Sequence, residues 1–554
     1  MTEGPRNATV LKRVAWSFPL VLWFIATFFL LGDLGKWNDD WFYVQREPET
    51  GAIRSLVLDR PVHFWRPLYR VIVPGLATLL NGREPAHHLI CAAVHGLNAW
   101  LVWKLLATLG ARRLAASLAA LLFLVQPAAF EAVFWLCCLP TLLSAAVSLG
   151  AMIAAARLAG AGRAWGAACV GGAAAFAAAA LNEQPAALLL ALPLVCWAAA
   201  GRAGVLVTLG AVGTSLGLYV LGHAYMVQRM PAVGGGGLFV GPGLMAGVAA
   251  GAAVWAWEWC TSLGSMLRAL EHGAAALAEH PALALAAGAV LVAAGVVWVL
   301  EQRERGHEPA GVGVGSPGRL VLIGLVMGAT AGAPIVLTNY WLNPRVLYAP
   351  SVGLALAVAG LGMIPGRRTQ AARLRVGRMA AAGAGAGVLG MLALMMVGVQ
   401  WSFQRRDRED RWELAALSGM VPRPGWGAVF VPVRAELPRH PAWADMYERQ
   451  FWGVFHSWWS SSWSVRQQYR RGDITAGHGI GGPAWSRPAM TGVLVQGVGR
   501  VEWERVIPFT VDEDGRVELI GSVSWVSPSG IQRTVKLRGV EELTEGAGHY
   551  SFER

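Results

Sequence analysis

The stretch CLPTLLSAAVSLGAMIAAA, residues 138–156, decides the class of fold to which this chain belongs. It contains no charged side chain, and its length of about 19 residues lets a helix cross about 30 Å of hydrocarbon. A helix satisfies its own backbone hydrogen bonds inside a bilayer, whereas a membrane β-barrel would show alternating strands of about ten residues. The stretch therefore predicts a transmembrane helix.

Similar apolar runs recur along the first part of the chain. Its 554 residues are 55% hydrophobic and only 14% charged, with a mean hydropathy of +0.45. Soluble domains carry about 25% charged residues, so the composition indicates an all-α polytopic membrane protein with about 11 spans. We predict these spans at 14–32, 87–108, 114–136, 138–156, 164–181, 185–201, 203–225, 281–300, 319–338, 346–365 and 379–400.

The distribution of arginine sets the predicted orientation. The net charge of +12 is spread over short loops without a dense patch, which argues against a nucleic-acid partner. Arginines fill the loops at 112–113, 157–163 and 202, and residues 367–378 carry five arginines and no acid. Basic loops stay cytoplasmic, so we expect an inner (cytoplasmic) membrane protein with a cytoplasmic N-terminus. A membrane span at 243–264 would place the arginine-rich residues 367–378 outside. We therefore expect residues 243–264 to form an interfacial or re-entrant helix on the outer side.

The composition changes to that of ordinary soluble protein after the last predicted span. The multi-span membrane domain is therefore expected to cover residues 1–400, and residues 401–554 are expected to form a small β-rich domain. With a cytoplasmic N-terminus, an odd number of 11 predicted spans places this C-terminal domain on the extracytoplasmic side. Runs of β-branched residues between Gly, Pro and Asp predict its strands. These strands are predicted at 429–433, 492–498, 501–510, 517–526 and 531–537.

The first outer loop, about 33–86, contains the adjacent acids Asp39 and Asp40. Carboxylates at a membrane boundary are costly unless they are solvated, paired or bound to a cation. One of them can accept a proton from a hydroxyl nucleophile, or the pair can hold Mg²⁺ or Mn²⁺ against a phosphate. Arg66, later in the loop, can bind phosphate oxygens bidentately. A solvated loop with a chance acidic pair explains these residues equally well.

A polar cluster opens the second predicted span. It contains His87, His88, His95 and Asn98, of which the last three fall close to one helical stripe. A lone membrane histidine is usually a hydrogen-bonded core residue, but several polar groups near one end of a helix indicate a substrate-binding region. A metal site at these histidines is disfavoured because the ligand spacing is not tight. Glu131, an acid inside the next apolar stretch, is a further candidate.

The last polar cluster precedes the span predicted at 346–365. Arg345 and Tyr348 are three residues apart at its outer mouth and can share one face of the helix. Arg345 can contact a lipid phosphate there. An arginine that snorkels to the interface from a helix end accounts for it with about equal weight.

The order of these motifs resembles a known family. Asp39-Asp40 is followed by Arg66-Pro67-Leu68, and then by three further segments along the chain. These segments are His88…His95-x-x-Asn98, Pro127…Glu131-Ala132-Val133-x-Trp135 and Arg345…Leu347-Tyr348-x-Pro350-Ser351. Residues 15–400 are in this respect similar to the GT-C-type integral membrane glycosyltransferases. The resemblance is greatest to the membrane part of the protein O-mannosyltransferases of the transmembrane-and-tetratricopeptide type.

This resemblance implies a donor, an acceptor and roles for particular residues. The donor would be a sugar linked to polyprenyl phosphate, and the acceptor would be an extracytoplasmic protein, lipid or cell-envelope glycan. Asp39 or Asp40 would act as base or metal contact, and Arg345 or Arg66 would contact the phosphate. The sequence departs from the family pattern at Gln126, where a histidine is usual, and at Pro344, where an acid is common.

The leading hypothesis is therefore an inverting glycosyl transfer from a lipid carrier. The rival class is a non-catalytic membrane protein, either a transporter or a scaffold that displays the C-terminal domain. A transporter should place ionisable residues near the bilayer midplane and often contains two similar halves. The polar residues of this chain gather instead at one predicted membrane face, and the sequence has no clear internal repeat.

Overall fold

The structure is a computed structural model of the chain. It describes residues 66–80, 83–126, 130–201, 205–228, 267–281, 316–338, 347–363 and 371–432, with gaps at 268 and 427, and short pieces between 464 and 536. The candidates Asp39, Asp40 and Arg345 lie outside these residues, as do the segments predicted at 14–32, 243–264 and most of 281–300. The described residues divide into two compact units between Trp401 and Ser402.

Helices make up the first unit. Short 3₁₀ turns at Leu136–Cys138 and Ala187–Ala191 lead into two of them. Helices among the described residues include α1 (Pro67–Leu79), α2 (Glu84–Thr108), α3 (Arg113–Val125), α4 (Phe130–Phe134), α5 (Leu139–Gly160), α6 (Ala164–Leu181), α7 (Glu183–Ala186), α8 (Leu192–Ala200), α9 (Val205–Gln228), α10 (Pro317–Thr338), α11 (Tyr348–Gly362) and α12 (Ala371–Met420), the last of which continues past Trp401.

Several of these helices are long and apolar enough to cross a membrane. Within the described residues there are six such segments, which confirms the multi-span helical class, while the total of about 11 spans stays a prediction. The six are Glu84–Thr108, Leu136–Gly160, Ala164–Leu181, Glu183–Ala200, Val205–Gly222 and Gly387–Met420, and shorter apolar helices cover Ala115–Val125, Pro317–Ala333 and Tyr348–Gly362.

Contacts at the helix termini show which ends lie together. Arg66, from the predicted first outer loop, contacts Glu183, which follows the end of α6. At the other end of these helices, a Cβ added at Gly160 would lie 3.7 Å from the carbonyl oxygen of Ala199. The guanidinium of Arg319 lies 4.7 Å from the ring centre of Trp197. The end of α5, the end of α8 and the start of α10 are therefore neighbours.

The span predicted at 114–136 is broken in the structure. Helix α3 ends at Val125, Gln126 is extended with φ −68° and ψ 124°, and a new short helix begins at Phe130. The residue before a proline is pushed toward extended geometry, and proline cannot donate to a helix. Pro127 therefore explains the break, which separates Glu131 from α3.

The last predicted span belongs to a much longer helix. Helix α12 continues through the charged residues that follow position 400. Arg405 with Glu409, Arg406 with Asp410 and Arg411 with Asp407 form ion pairs at a spacing of four residues. Pairs at this spacing lie on one face of a helix and stabilise it, so the helix continues beyond the apolar sequence.

The second unit joins the end of α12 to three small sheets. One sheet has the order β2–β1–β6–β7, with β1 parallel to both β2 and β6, and the other two are the antiparallel sheets β3–β4–β5 and β8–β9. Leu417 of α12 packs with Phe430 and Phe509 in the core of this unit. The strands are β1 (Val429–Pro432), β2 (Thr475–Ala476), β3 (Arg487–Ala489), β4 (Gly492–Val495), β5 (Gly499–Glu502), β6 (Val506–Val511), β7 (Val517–Leu519), β8 (Ser522–Val526) and β9 (Gln532–Lys536).

Candidate functional site

Tyr348 joins two of the polar clusters singled out in the sequence. Its hydroxyl oxygen lies 2.9 Å from Nδ1 of His95 and 2.9 Å from Nδ2 of Asn98. All three side chains are buried. Tyr348 begins α11, whereas His95 and Asn98 lie one helical turn apart on α2. The structure thus brings together residues about 250 positions apart in the sequence.

The hydrogen-bond partners determine the direction of each bond in this trio. Nε2 of His95 lies 3.0 Å from the carbonyl oxygen of Leu124, which can only accept, so Nε2 carries the hydrogen. Nδ1 of the neutral imidazole is then an acceptor, and Tyr348 donates to it. The amide of Asn98 donates to the oxygen of Tyr348 and, at 2.9 Å, to the carbonyl oxygen of Leu142.

The trio is enclosed by apolar and backbone groups. The ring centre of Phe123 lies 5.3 Å from that of His95 and 5.3 Å from that of Tyr348. The bonds to Leu124 and Leu142 tie α3 and α5 to the same point. Buried polar groups are costly unless they are hydrogen-bonded, and the bonds of this trio can form in only one arrangement of the helices. The trio therefore holds the first turn of α11 in place between these helices.

The other polar candidates of the second and third spans are also buried. His87 and His88 lie in the first turn of α2, with 4% and 1% of their surface exposed, and Glu131 on α4 is 3% exposed. Helix α4 packs directly against α2. The break after Val125 thus places the carboxylate of Glu131 in the interior of the helical unit.

Arg66 makes a bidentate ion pair that sequence analysis did not anticipate. Its Nε donates to Oε2 of Glu183 at 2.7 Å, and its Nη2 donates to Oε1 at 2.5 Å. Burial alone lowers the pKa of the Arg66 guanidinium, but the negative charge and hydrogen bonds of Glu183 raise it by more. The pKa therefore lies above its ordinary value, and Arg66 stays cationic.

The backbone around Glu183 is fixed by a side-chain cap. Asn182 is extended between α6 and α7, and its Oδ1 accepts a hydrogen bond at 3.1 Å from the backbone nitrogen of Gln184. Its amide nitrogen donates to Oγ1 of Thr141 on α5 at 2.7 Å. Such a cap satisfies a free helix-terminal N–H. The cap sets the direction in which Glu183 leaves the helix pair.

Two serines on α5 complete this support. Oγ of Ser144 lies 2.9 Å from the carbonyl oxygens of both Ala178 and Asn182. Ser148 donates to the carbonyl oxygen of Pro185 at 3.2 Å. These carbonyls flank a break in the helical backbone and need partners inside the protein, because lipid offers none. Helix α5 therefore carries a polar stripe, formed by Thr141, Ser144 and Ser148, that stabilises the break.

Glu183 could have been selected from the sequence by the rule that selected Glu131. Both are acids between or within apolar stretches, and such residues are default functional candidates in membrane proteins. The contact of Glu183 with Arg66, which is 117 positions away, has no local signal in the sequence.

The remaining site candidates are the predicted metal contacts and Arg345. Within them, no group of three or more His, Cys, Asp and Glu side chains is arranged to hold a metal ion. Asp39 and Asp40, the predicted metal contacts, lie outside them, as does Arg345. The structure therefore unites His95, Asn98 and Tyr348 directly, and it joins Arg66 to a residue outside the predicted set.

Comparison with known proteins finds no matching protein-family model and no significantly similar curated protein.

Proposed function

We propose that the chain is an inverting membrane glycosyltransferase that moves a sugar from a polyprenyl-phosphate donor to an extracytoplasmic acceptor. The observation that carries the proposal is the bonding of Tyr348 to His95 and Asn98. These residues come from two separate sequence motifs that were both predicted to belong to one site, and the two motifs meet at one point of the helical unit. The family resemblance described from the motif order supplies the reaction type.

The reaction would use the acidic pair of the first outer loop. Asp39 or Asp40 would accept the proton of the acceptor hydroxyl as its oxygen forms a bond to the anomeric carbon of the sugar. The bond between that carbon and the phosphate oxygen breaks, and polyprenyl phosphate leaves with the bonding electron pair. Arg66 or Arg345 would stabilise the charge on the departing phosphate. Asp39 and Asp40 are also the residues that would bind Mg²⁺ or Mn²⁺ in a metal-assisted variant of this step.

The proposed location follows from the arginine-rich loops. The protein would lie in the cytoplasmic membrane with its N-terminus inside, and its partners would be the bilayer, the lipid-linked donor and an acceptor on the outer side. The acceptor would be a protein, a lipid or a cell-envelope glycan. Residues 401–554 would then stand on the side where the acceptor is found.

Substitution of the acidic pair tests the proposal. The variants are Asp39→Asn and Asp40→Asn. The one that removes the acting base is expected to reduce sugar transfer by at least about a hundredfold, which is the usual contribution of general base catalysis. Membrane abundance should stay unchanged. The measurement is transfer from a polyprenyl-phosphate sugar in isolated membranes, together with glycan and lipid-carrier analysis of cells with and without the gene. Asp59→Asn, in the same loop, is the matched control.

Unchanged product formation in both aspartate variants would contradict the assignment of the base. A non-catalytic scaffold is the second candidate, and one observation favours it: Tyr348 and Arg66 both have bonding partners within the protein. For a scaffold, removal of residues 402–554 should reproduce the phenotype of gene loss, while neither aspartate variant changes the glycans. For an enzyme, the aspartate variants alone should reproduce it.

A further inference from the structure

We propose that Glu183 is a built-in competitor for the phosphate-binding group of Arg66. In the absence of a ligand the Glu183 carboxylate is bound to the Arg66 guanidinium. Phosphate oxygens displace this carboxylate when the ligand binds. The inference rests on the proposed function, because it deepens the role assigned there to Arg66. Glu183 then controls how tightly Arg66 binds a phosphate.

The geometry of the ion pair is that of anion recognition. Two nitrogens of Arg66 donate to two oxygens of one carboxylate, at 2.7 Å and 2.5 Å. The same two-pronged arrangement binds two oxygens of a phosphate. A carboxylate in this position therefore competes with phosphate for the same donors.

Partial exposure allows the exchange. The side chains of Arg66 and Glu183 are 24% and 32% exposed, so an anion can approach the pair without unfolding the helices. Ion pairs that remain in contact with water are weak, because water and dissolved ions screen them. A phosphate monoester, such as the polyprenyl phosphate that leaves after transfer, carries more negative charge than one carboxylate and offers more acceptor oxygens, which favours it in the exchange.

The support of Glu183 is independent of Arg66. Asn182 caps the turn, and Thr141 on α5 accepts from the Asn182 amide. Ser144 and Ser148 bind carbonyl oxygens on either side of the break. These bonds do not involve the guanidinium, so the carboxylate stays close to Arg66 after displacement. A competitor at such short range has a high effective concentration and returns when the phosphate leaves.

The sequence position of Arg66 fits this role. It immediately precedes Pro67, the first residue of α1. Under the predicted topology, both Arg66 and the turn between α6 and α7 lie at the outer face, where a lipid phosphate is found.

The experiment measures phosphate binding to the full chain in nanodiscs of neutral phospholipid. The probes are a polyprenyl monophosphate added to the nanodisc and inorganic phosphate added to the buffer, which separates a lipid source from a free one. Glu183→Gln keeps the size and removes the charge, and it is expected to tighten binding at least about threefold. Arg66→Gln is expected to weaken binding about tenfold and to abolish the effect of Glu183→Gln in the double variant.

The controls separate a competitor from a structural contact. Glu409→Gln removes a carboxylate of equal exposure, 32%, that also pairs with arginines, and it should leave phosphate binding unchanged. Size-exclusion chromatography establishes that each variant is folded. Glu183→Asp keeps the charge and shortens the reach, so it should give intermediate binding even if Glu183→Gln does not fold.

Each outcome decides the proposal. If the unmodified chain binds the lipid probe and neither Glu183 variant binds it more tightly, the competitor role is wrong and the proposed donor class stands. If tightening is seen with inorganic phosphate alone, the role is upheld and the lipid source is wrong. If no variant and no probe shows binding, the donor class and the competitor role both fail.

Discussion

The hydroxyl of Tyr348 has two partners that depend on it. It donates to His95 and accepts from Asn98 inside a core without solvent access. Tyr348→Phe would keep the ring packing with Phe123 and leave both partners without this bond. We expect the free energy of unfolding to fall by about 1–3 kcal/mol, the cost of a buried unsatisfied polar group. Thermal unfolding of the purified protein in detergent measures this loss.

A matched tyrosine in the second unit provides the control. The hydroxyl of Tyr469 donates one bond, to the carbonyl oxygen of Leu417 at 3.2 Å, and its side chain is only partly buried. Tyr469→Phe should therefore cost less, about 0.5–1.5 kcal/mol. Equal or greater destabilisation by Tyr469→Phe would contradict the special role of the trio.

Sequence reasoning at the scale of single residues identified candidates but not their partners. His95, Asn98 and Tyr348 were selected because each is polar within or beside an apolar stretch, and they do meet. Their mutual bonds join α2 to α11, and local sequence holds no information about such a contact. Glu183 was overlooked although its sequence setting matched that of Glu131, so attention to every acid in an apolar stretch would have found it.

At the scale of helices, α10 and α11 pack backbone against backbone. A Cβ added at Gly353 would overlap the backbone of Gly328, and one at Gly324 would overlap that of Ala357. Small residues allow this close approach in membrane helices. Gly353→Ala should destabilise the protein by about 1–3 kcal/mol, because overpacking forces the helices apart. The melting temperature in detergent tests this.

Gly362 is the matched control on the same helix. A Cβ there would meet nothing within 4 Å. Gly362→Ala should therefore be neutral or slightly stabilising, since alanine favours the helix by about 1 kcal/mol over glycine. Similar losses in both variants would contradict the conclusion that the close approach of the helices decides the effect at Gly353.

The elements were predictable where hydropathy alone determines them. Helices α6 and α10 lie within one or two residues of the predicted spans at 164–181 and 319–338. The break at Gln126 was missed because a window of apolar residues takes no account of the proline that follows. The two-residue strand Thr475–Ala476 has no periodicity of its own and exists through its pairing with Val429 and Phe430.

At the scale of the whole molecule, the contacts agree with alternating helix directions. The end of α5, the end of α8 and the start of α10 lie together, as the cytoplasmic assignment of their loops requires. Arg66 and Glu183 lie together at the opposite ends of the helices, as the prediction of outer loops at both residues requires. Which end faces the cytoplasm is a prediction from arginine placement, because helix packing is the same in either orientation.

Reporter fusions test this orientation. Alkaline phosphatase needs oxidised disulfides and is active only outside the cytoplasm. A fusion after Gly162, which follows Arg157 in a predicted inner loop, should be inactive, and one after Arg554 should be active, at equal abundance on immunoblots. Activity at Gly162 with none at Arg554 would reverse the protein and place the Arg66–Glu183 pair on the cytoplasmic side. Inactivity at both positions would leave the bundle orientation intact and place the C-terminal unit inside, away from an extracytoplasmic acceptor.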